Sequence, residues 1–179
     1  MRVHVFRMIL GLLNHLNPGF FASFELQVLM RITAKAYDVP AKVIWYKPYK
    51  KALQEYGAFT VRCMKERKAD KRRLYKTAYA AGSRLRRLTG FRERKDIESL
   101  VFYLYRNIGI TMKGDIPGEL LISECYFAGI YRPYECRIMS MVDSGMIAGI
   151  SGGGRLTFSN RITEGCENCR ACFSRNVND

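Results

Sequence analysis

Apolar residues recur at helical spacing through the first hundred residues and then change rhythm. Phe24, Val28, Leu29, Ile32 and Ala36 share one helical face, with Ser23 placed as an N-cap and Asp38-Val39-Pro40 as the stop. A second helix is predicted after Lys47-Pro48, since proline suits a first helical turn; its apolar positions are Ala52, Leu53, Tyr56, Phe59 and Cys63. A third runs from about 69 to 88 on Leu74, Ala78, Ala81 and Leu85, closed by Gly90. A fourth covers about 94 to 107 with Ile97, Leu100, Val101, Leu104 and Ile108. Beyond residue 109 short alternating runs take over. Residues 109–114 and 119–127 read as strands around an Asp115-Ile116-Pro117-Gly118 turn. Pro133 opens a helix of about sixteen residues through Cys136, Ile138, Met139, Val142, Met146 and Ile147, broken by Gly152-Gly153-Gly154. Residues 155–159 and 169–174 read as two final strands, with Gly165 in the connection. Helices followed by β-β-α-β-β predict an α+β fold with a small antiparallel sheet. A single domain is expected over residues 1–179, with a helical part (1–108) and an α+β part (109–179).

The composition fits a folded chain: 48% hydrophobic and 26% charged among 179 residues. No apolar run reaches the roughly 18 to 20 residues that span a bilayer, so no membrane partner is expected. The first residues, Met1 to Leu13, have a basic start and an apolar stretch. Arg7 interrupts that stretch and Asn14-His15 stands where small residues would precede a cleavage site. An amphipathic first helix is the preferred reading.

Six cysteines stand at 63, 125, 136, 166, 169 and 172. Three of them crowd into Cys166-Glu167-Asn168-Cys169-Arg170-Ala171-Cys172, which argues for ligand chemistry in a reducing compartment, the cytoplasm, over a spread disulfide framework. Thiolates are soft ligands for zinc or an iron–sulfur cluster. A fourth ligand must come from afar, Cys136 first and Cys125 second. Cys136 is also a candidate nucleophile, because the free N–H groups of a first helical turn favour a thiolate over a thiol. A strand at 169–174 would turn Cys172 away from Cys169, leaving inert packing as the plain alternative.

Residues 62–95 carry fourteen Lys/Arg against three acids, which accounts for most of the net charge of +14. Such a surface attracts nucleic acid, anionic lipid or an acidic partner, and Tyr75 and Tyr79 offer stacking. A solvated helix face is the simpler reading, as no nucleic-acid-binding motif accompanies the charge. Histidines occur only at 4 and 15, which leaves little for His-based metal or triad chemistry. Catalysis would instead use cysteine with carboxylates and tyrosines. Asp143 lies two helical turns after Cys136 on the same face, and Glu124, Glu135, Tyr131 and Tyr134 are close in sequence.

Several segments resemble the L-2-amino-thiazoline-4-carboxylic acid hydrolase-like family. They are the run Ala52-Leu53-Gln54-Glu55-Tyr56-Gly57-Ala58-Phe59-Thr60, the run Tyr131-Arg132-Pro133-Tyr134-Glu135-Cys136 with Val142-Asp143, then Leu156-Thr157-Phe158, and the closing Gly165-Cys166…Cys172-Phe173. The C-terminal half is also similar to the 4-vinyl reductase domain, a small-molecule-binding module. The resemblance implies a helical half packed on a small antiparallel sheet. It also implies ring opening of a cyclic amidine carboxylate by water. Carried over by position, the matching residues are Cys136, Asp143, Cys166 and Cys172; Cys169 is extra to the pattern. The first expectation is therefore a cytoplasmic hydrolase of a small cyclic C–N bond. Cys136 and Asp143 would be catalytic, and Arg137, Arg155 and Tyr131 would bind substrate. The alternative is a ligand- or metal-binding sensor, with zinc or an iron–sulfur cluster held by Cys136, Cys166, Cys169 and Cys172. The third is nucleic-acid binding through 62–95.

Overall fold

The computed structural model describes residues 18–175. The expected first helix, with His4 and His15, lies outside them. Four helices come first: α1 (Pro18–Tyr37), α2 (Tyr49–Glu66), α3 (Lys71–Thr89) and α4 (Arg94–Asn107). Then follow β1 (Ile110–Gly114), β2 (Gly118–Cys125), a 3-10 turn (Tyr126–Gly129), α5 (Pro133–Ser151), β3 (Arg155–Asn160), a second 3-10 turn (Ile162–Glu164) and β4 (Cys169–Ser174).

Helix ends fall where local chemistry places them. Asp70 caps α3 by accepting the Arg73 N–H at 2.9 Å, and Gly90 ends it in the left-handed conformation, φ 71°, that glycine adopts without a Cβ penalty. Pro133 opens α5, where Glu135 reaches back to accept the Arg132 N–H at 3.0 Å. Ser23, expected as a cap, is buried inside α1. The helix starts earlier, at Pro18, and the Ser23 hydroxyl instead donates to the Lys47 carbonyl at 3.1 Å.

The four strands form one antiparallel sheet in the order β1-β2-β4-β3, an arrangement that the sequential pattern does not itself dictate. Its inner face buries Leu120, Ile122, Leu156, Cys169, Ala171 and Phe173; its outer face shows Glu119, Thr157, Arg170 and Cys172 to solvent. This in–out alternation is the strand period of two. One apolar cluster joins the inner face to the helices, from Leu26 and Leu53 through Leu74, Ile97 and Val101 to Ile138 and Ile147.

The tightest helix pair is α3 against α5. A Cβ added to Gly149 would sit 2.3 Å from the Tyr79 carbonyl oxygen. One on Gly145 would sit 2.4 Å from that of Tyr75, and one on Gly82 2.4 Å from that of Met146. Backbone therefore lies on backbone along this seam, and only glycine fits. Among the described residues no helix is long and apolar enough to cross a membrane.

Candidate functional site

On a helix of 3.6 residues per turn, positions 136, 140 and 143 lie within about 60° of one another, while 145 and 149 lie on the opposite side. The seam with α3 thus fixes which way Cys136, Ser140 and Asp143 point: toward α4, the ends of β2 and β3, and β4.

Arg161, in the bend after β3, lies along this face of α5. Its guanidinium stacks on the Phe158 ring with Cζ 4.1 Å from the centroid. It donates toward Cys136 Sγ at 3.9 Å and to Ser140 Oγ at 3.3 Å. It also lies 3.7 Å from Glu164. Asp143 stands one turn beyond Ser140. It accepts the Tyr105 hydroxyl of α4 at 3.0 Å. Burial raises the Asp143 carboxyl to about 6, against the opposing effects of the Tyr105 hydrogen bond and the Arg161 charge. Part of the Asp143 side chain remains accessible, while the Tyr105 hydroxyl and Arg161 lie close to its carboxylate. A carboxyl with this value populates both protonation states near neutral pH, which suits proton transfer in either direction.

Aromatic residues pack beside Asp143. Tyr131 stacks on Phe127 at 5.5 Å, and its hydroxyl pairs with that of Thr60 at 2.8 Å. Tyr56 meets Phe127 edge-on and pairs with Thr33 at 3.3 Å. Burial drives the phenols of Tyr56, Tyr105 and Tyr131 well above the ordinary range, so all three remain neutral hydrogen-bonding groups. Burial also pushes the Cys125 thiol up to about 12, and Cys169 is raised for the same reason; Cys169 Sγ accepts the Ile162 N–H at 3.3 Å. Both are thiols at neutral pH.

The residues expected from the sequence divide sharply. Cys136, Asp143 and Tyr131 come together, with Cys169 and Cys125 nearby. Arg137 does not join them: it is exposed and donates to Glu164 at 2.8 Å. Arg155 is exposed at the start of β3, one residue out of phase with buried Leu156. The guanidinium at the site is Arg161 instead. Glu124 is exposed and accepts from Thr111, while Glu135 is committed to Arg132, whose guanidinium hydrogen bonds hold its carboxyl below the usual range. Tyr134 is exposed.

The four-cysteine ligand set is not assembled. Cys169 and Cys172 are three residues apart in β4, so the pleat sends Cys169 inward and Cys172 outward beside Glu119 and Thr157. Cys166 lies half-buried in the loop before β4. Among the described residues no group of three or more His, Cys, Asp or Glu side chains is placed to hold a metal ion, and all six cysteines are free. With Cys172 on the outer face of β4, the thiols of Cys136, Cys166, Cys169 and Cys172 do not converge on one point in this structure.

The basic surface is mostly solvent-facing. Arg72, Arg73, Lys76, Arg84 and Arg87 are exposed on α3, whereas Leu74, Ala78 and Gly82 turn inward. Tyr75 and Tyr79 stack on each other at 6.0 Å, half-buried against the α5 seam, and the Tyr75 hydroxyl donates to the Gly154 carbonyl at 3.3 Å.

Sequence reasoning missed Arg161, Tyr105 and Ser140 as members of the site. No family profile, curated protein or solved structure matches the chain.

Proposed function

We propose that the chain is a hydrolase of a small cyclic C–N bond, working through Cys136, Asp143 and Arg161. The observation that supports this reading is the row Cys136–Ser140–Asp143 along one face of α5, with Arg161 bridging its first two members and Tyr105 holding the third. Cys136 sulfur adds to the amidine-type carbon as the thiol proton passes to the amidine nitrogen, with the Arg161 guanidinium 3.9 Å from the sulfur. The ring C–N bond breaks as protonated Asp143 gives its proton to the leaving nitrogen. Water then attacks the carbon bonded to sulfur, carboxylate Asp143 takes the water proton, and the S–C bond breaks to return the thiol. Seven residues of helix rise about 10 Å, so Asp143 exchanges its proton with the nitrogen and the water at the reacting carbon through one intervening water. Arg161 replaces Arg137 and Arg155 as the group facing a substrate carboxylate; Tyr131 and Tyr105 line its apolar and polar sides.

The test is incubation of the chain with 2-amino-thiazoline-4-carboxylate and related cyclic amidines, following gain of one water by mass. Ring opening that is lost in Cys136→Ser, with an unchanged circular-dichroism spectrum, is the expected result. Undiminished turnover in that variant removes Cys136 from the chemistry.

A second reading, ligand binding without turnover in the manner of a sensor module, is favoured by the commitment of Asp143 to the Tyr105 hydroxyl at 3.0 Å and by the neutral phenols around it. Saturable binding of the same compounds with no mass change in wild type distinguishes it. Metal and sulfide analysis of anaerobically purified protein tests the metal form of that reading.

A further inference from the structure

We propose that the loop between α1 and α2 is a docking surface for an anionic lipid bilayer. Four of the exposed large apolar side chains gather at one end of α1. Val43 is 56% exposed, Trp45 45% and Tyr46 65%, all in the loop, and Phe24 on α1 is 54%. The loop is held rigidly. Ile44 between Val43 and Trp45 is fully buried, and its N–H donates to Gln27 Oε1 at 2.6 Å. Gln27 Nε2 donates to the Lys42 carbonyl at 2.9 Å, and Ser23 Oγ donates to the Lys47 carbonyl at 3.1 Å. Gln27 and Ser23 lie on either side of Phe24 in α1, so these bonds bring the loop alongside it. The display is therefore preformed, and little conformational entropy remains to be lost on docking.

Charge selects the occupant. No acidic residue occurs between Asp38 and Glu55, while Lys42, Lys50 and Lys51 are exposed around the apolar centre; Lys47 pairs with Glu55. A second copy would bring the same positive rim and be repelled. Trp and Tyr side chains settle at the level of lipid headgroups, and aliphatic Val43 and aromatic Phe24 gain from entering the acyl boundary. Lysines at the rim meet the phosphates, and the chain's net charge of +14 adds long-range attraction. A nucleic acid would use the aromatic faces and lysines but leave Val43 without a role, so the lipid surface fits all seven side chains better.

Trp45 is the sole tryptophan, so its fluorescence reports directly on this loop. The full chain is titrated with vesicles of phosphatidylcholine alone, or mixed equally with phosphatidylglycerol, and with a single-stranded oligothymidylate. The expected result is a blue shift, co-sedimentation and quenching by brominated acyl chains, all with the anionic vesicles only. Binding should weaken at least roughly tenfold in the Lys42→Glu, Lys50→Glu, Lys51→Glu variant. It should weaken similarly in Val43→Ser, Tyr46→Ser, with circular dichroism confirming the fold. Any of three results overturns the proposal. One is the absence of a blue shift with anionic vesicles. Another is sedimentation without quenching of Trp45, or sedimentation that only reversal of Arg73, Lys76 and Arg84 abolishes; either places adsorption on α3. The third is a Trp45 response to the oligonucleotide but not to vesicles, which assigns the loop to nucleic acid.

Discussion

Along one side of α5, Gly145 and Gly149 set its backbone against the carbonyls of Tyr75 and Tyr79. Along the other, Cys136, Ser140 and Asp143 meet Arg161 and Tyr105. The first side contains no side-chain chemistry and tolerates no added atom. The second contains half-buried polar groups that cost stability, since a carboxyl raised to about 6 is one whose charge the fold disfavours. The contrast teaches that rigidity and reactivity are supplied by different residues of one helix, and that the two can be removed separately.

The largest effect should come from the seam. Gly149→Leu would drive a side chain into the Tyr79 carbonyl and cost roughly 3 kcal/mol or more, read as a much lower midpoint in a urea titration. A Gly149→Leu chain with wild-type stability would show that α3 and α5 are not in backbone contact.

Asp143→Asn should act in the opposite direction on stability. The folded-state carboxyl, raised from 3.8 to about 6, disfavours folding fully above pH 6, and this cost fades as pH falls toward 4. The isosteric amide should therefore raise stability at pH 8 by on the order of 2 kcal/mol and give almost no gain at pH 4, by urea denaturation at both values. The same variant should lose ring-opening activity by at least about a hundredfold. A variant that is both less stable at pH 8 and fully active would erase the distinction between the two faces.

Glu25 provides a control far from α5. Burial raises its carboxyl to about 8 against the Asn107 hydrogen bond at 3.1 Å. Glu25→Gln should thus be stabilising at pH 9, with the gain vanishing between pH 8 and about 4.5, and should leave turnover unchanged. The smallest expected effect is that of Tyr105→Phe. Its hydroxyl lowers the Asp143 value, so its loss should move the corresponding limb of the pH–rate profile upward by about one unit, at a stability change of about 1 kcal/mol.

Helix and strand limits were readable because their punctuation is local. Pro48, Asp70, Gly90, Pro133 and Gly152 each act within one turn of their own position. Cys136 and Asp143 were readable as a pair for the same reason, since one helix carries both. Arg161 was not, because it resembles every other arginine until β3 turns back toward α5. Tyr105 reads as core on an apolar helix face, and only tertiary packing reveals its hydroxyl against Asp143. The cysteine spacing suggests a ligand loop, while the alternation of β4, invisible in the spacing alone, sends Cys172 to the other side of the sheet from Cys169. Gly145 and Gly149, four apart on one helix, were a signal of close helix approach that the apolar pattern concealed.

Fusing α5 to α3 through bare backbone makes the two helices one stiff beam. Any rearrangement beside Cys136 therefore falls to the other wall, where Arg161 rests on Phe158 next to the short Ile162–Glu164 turn.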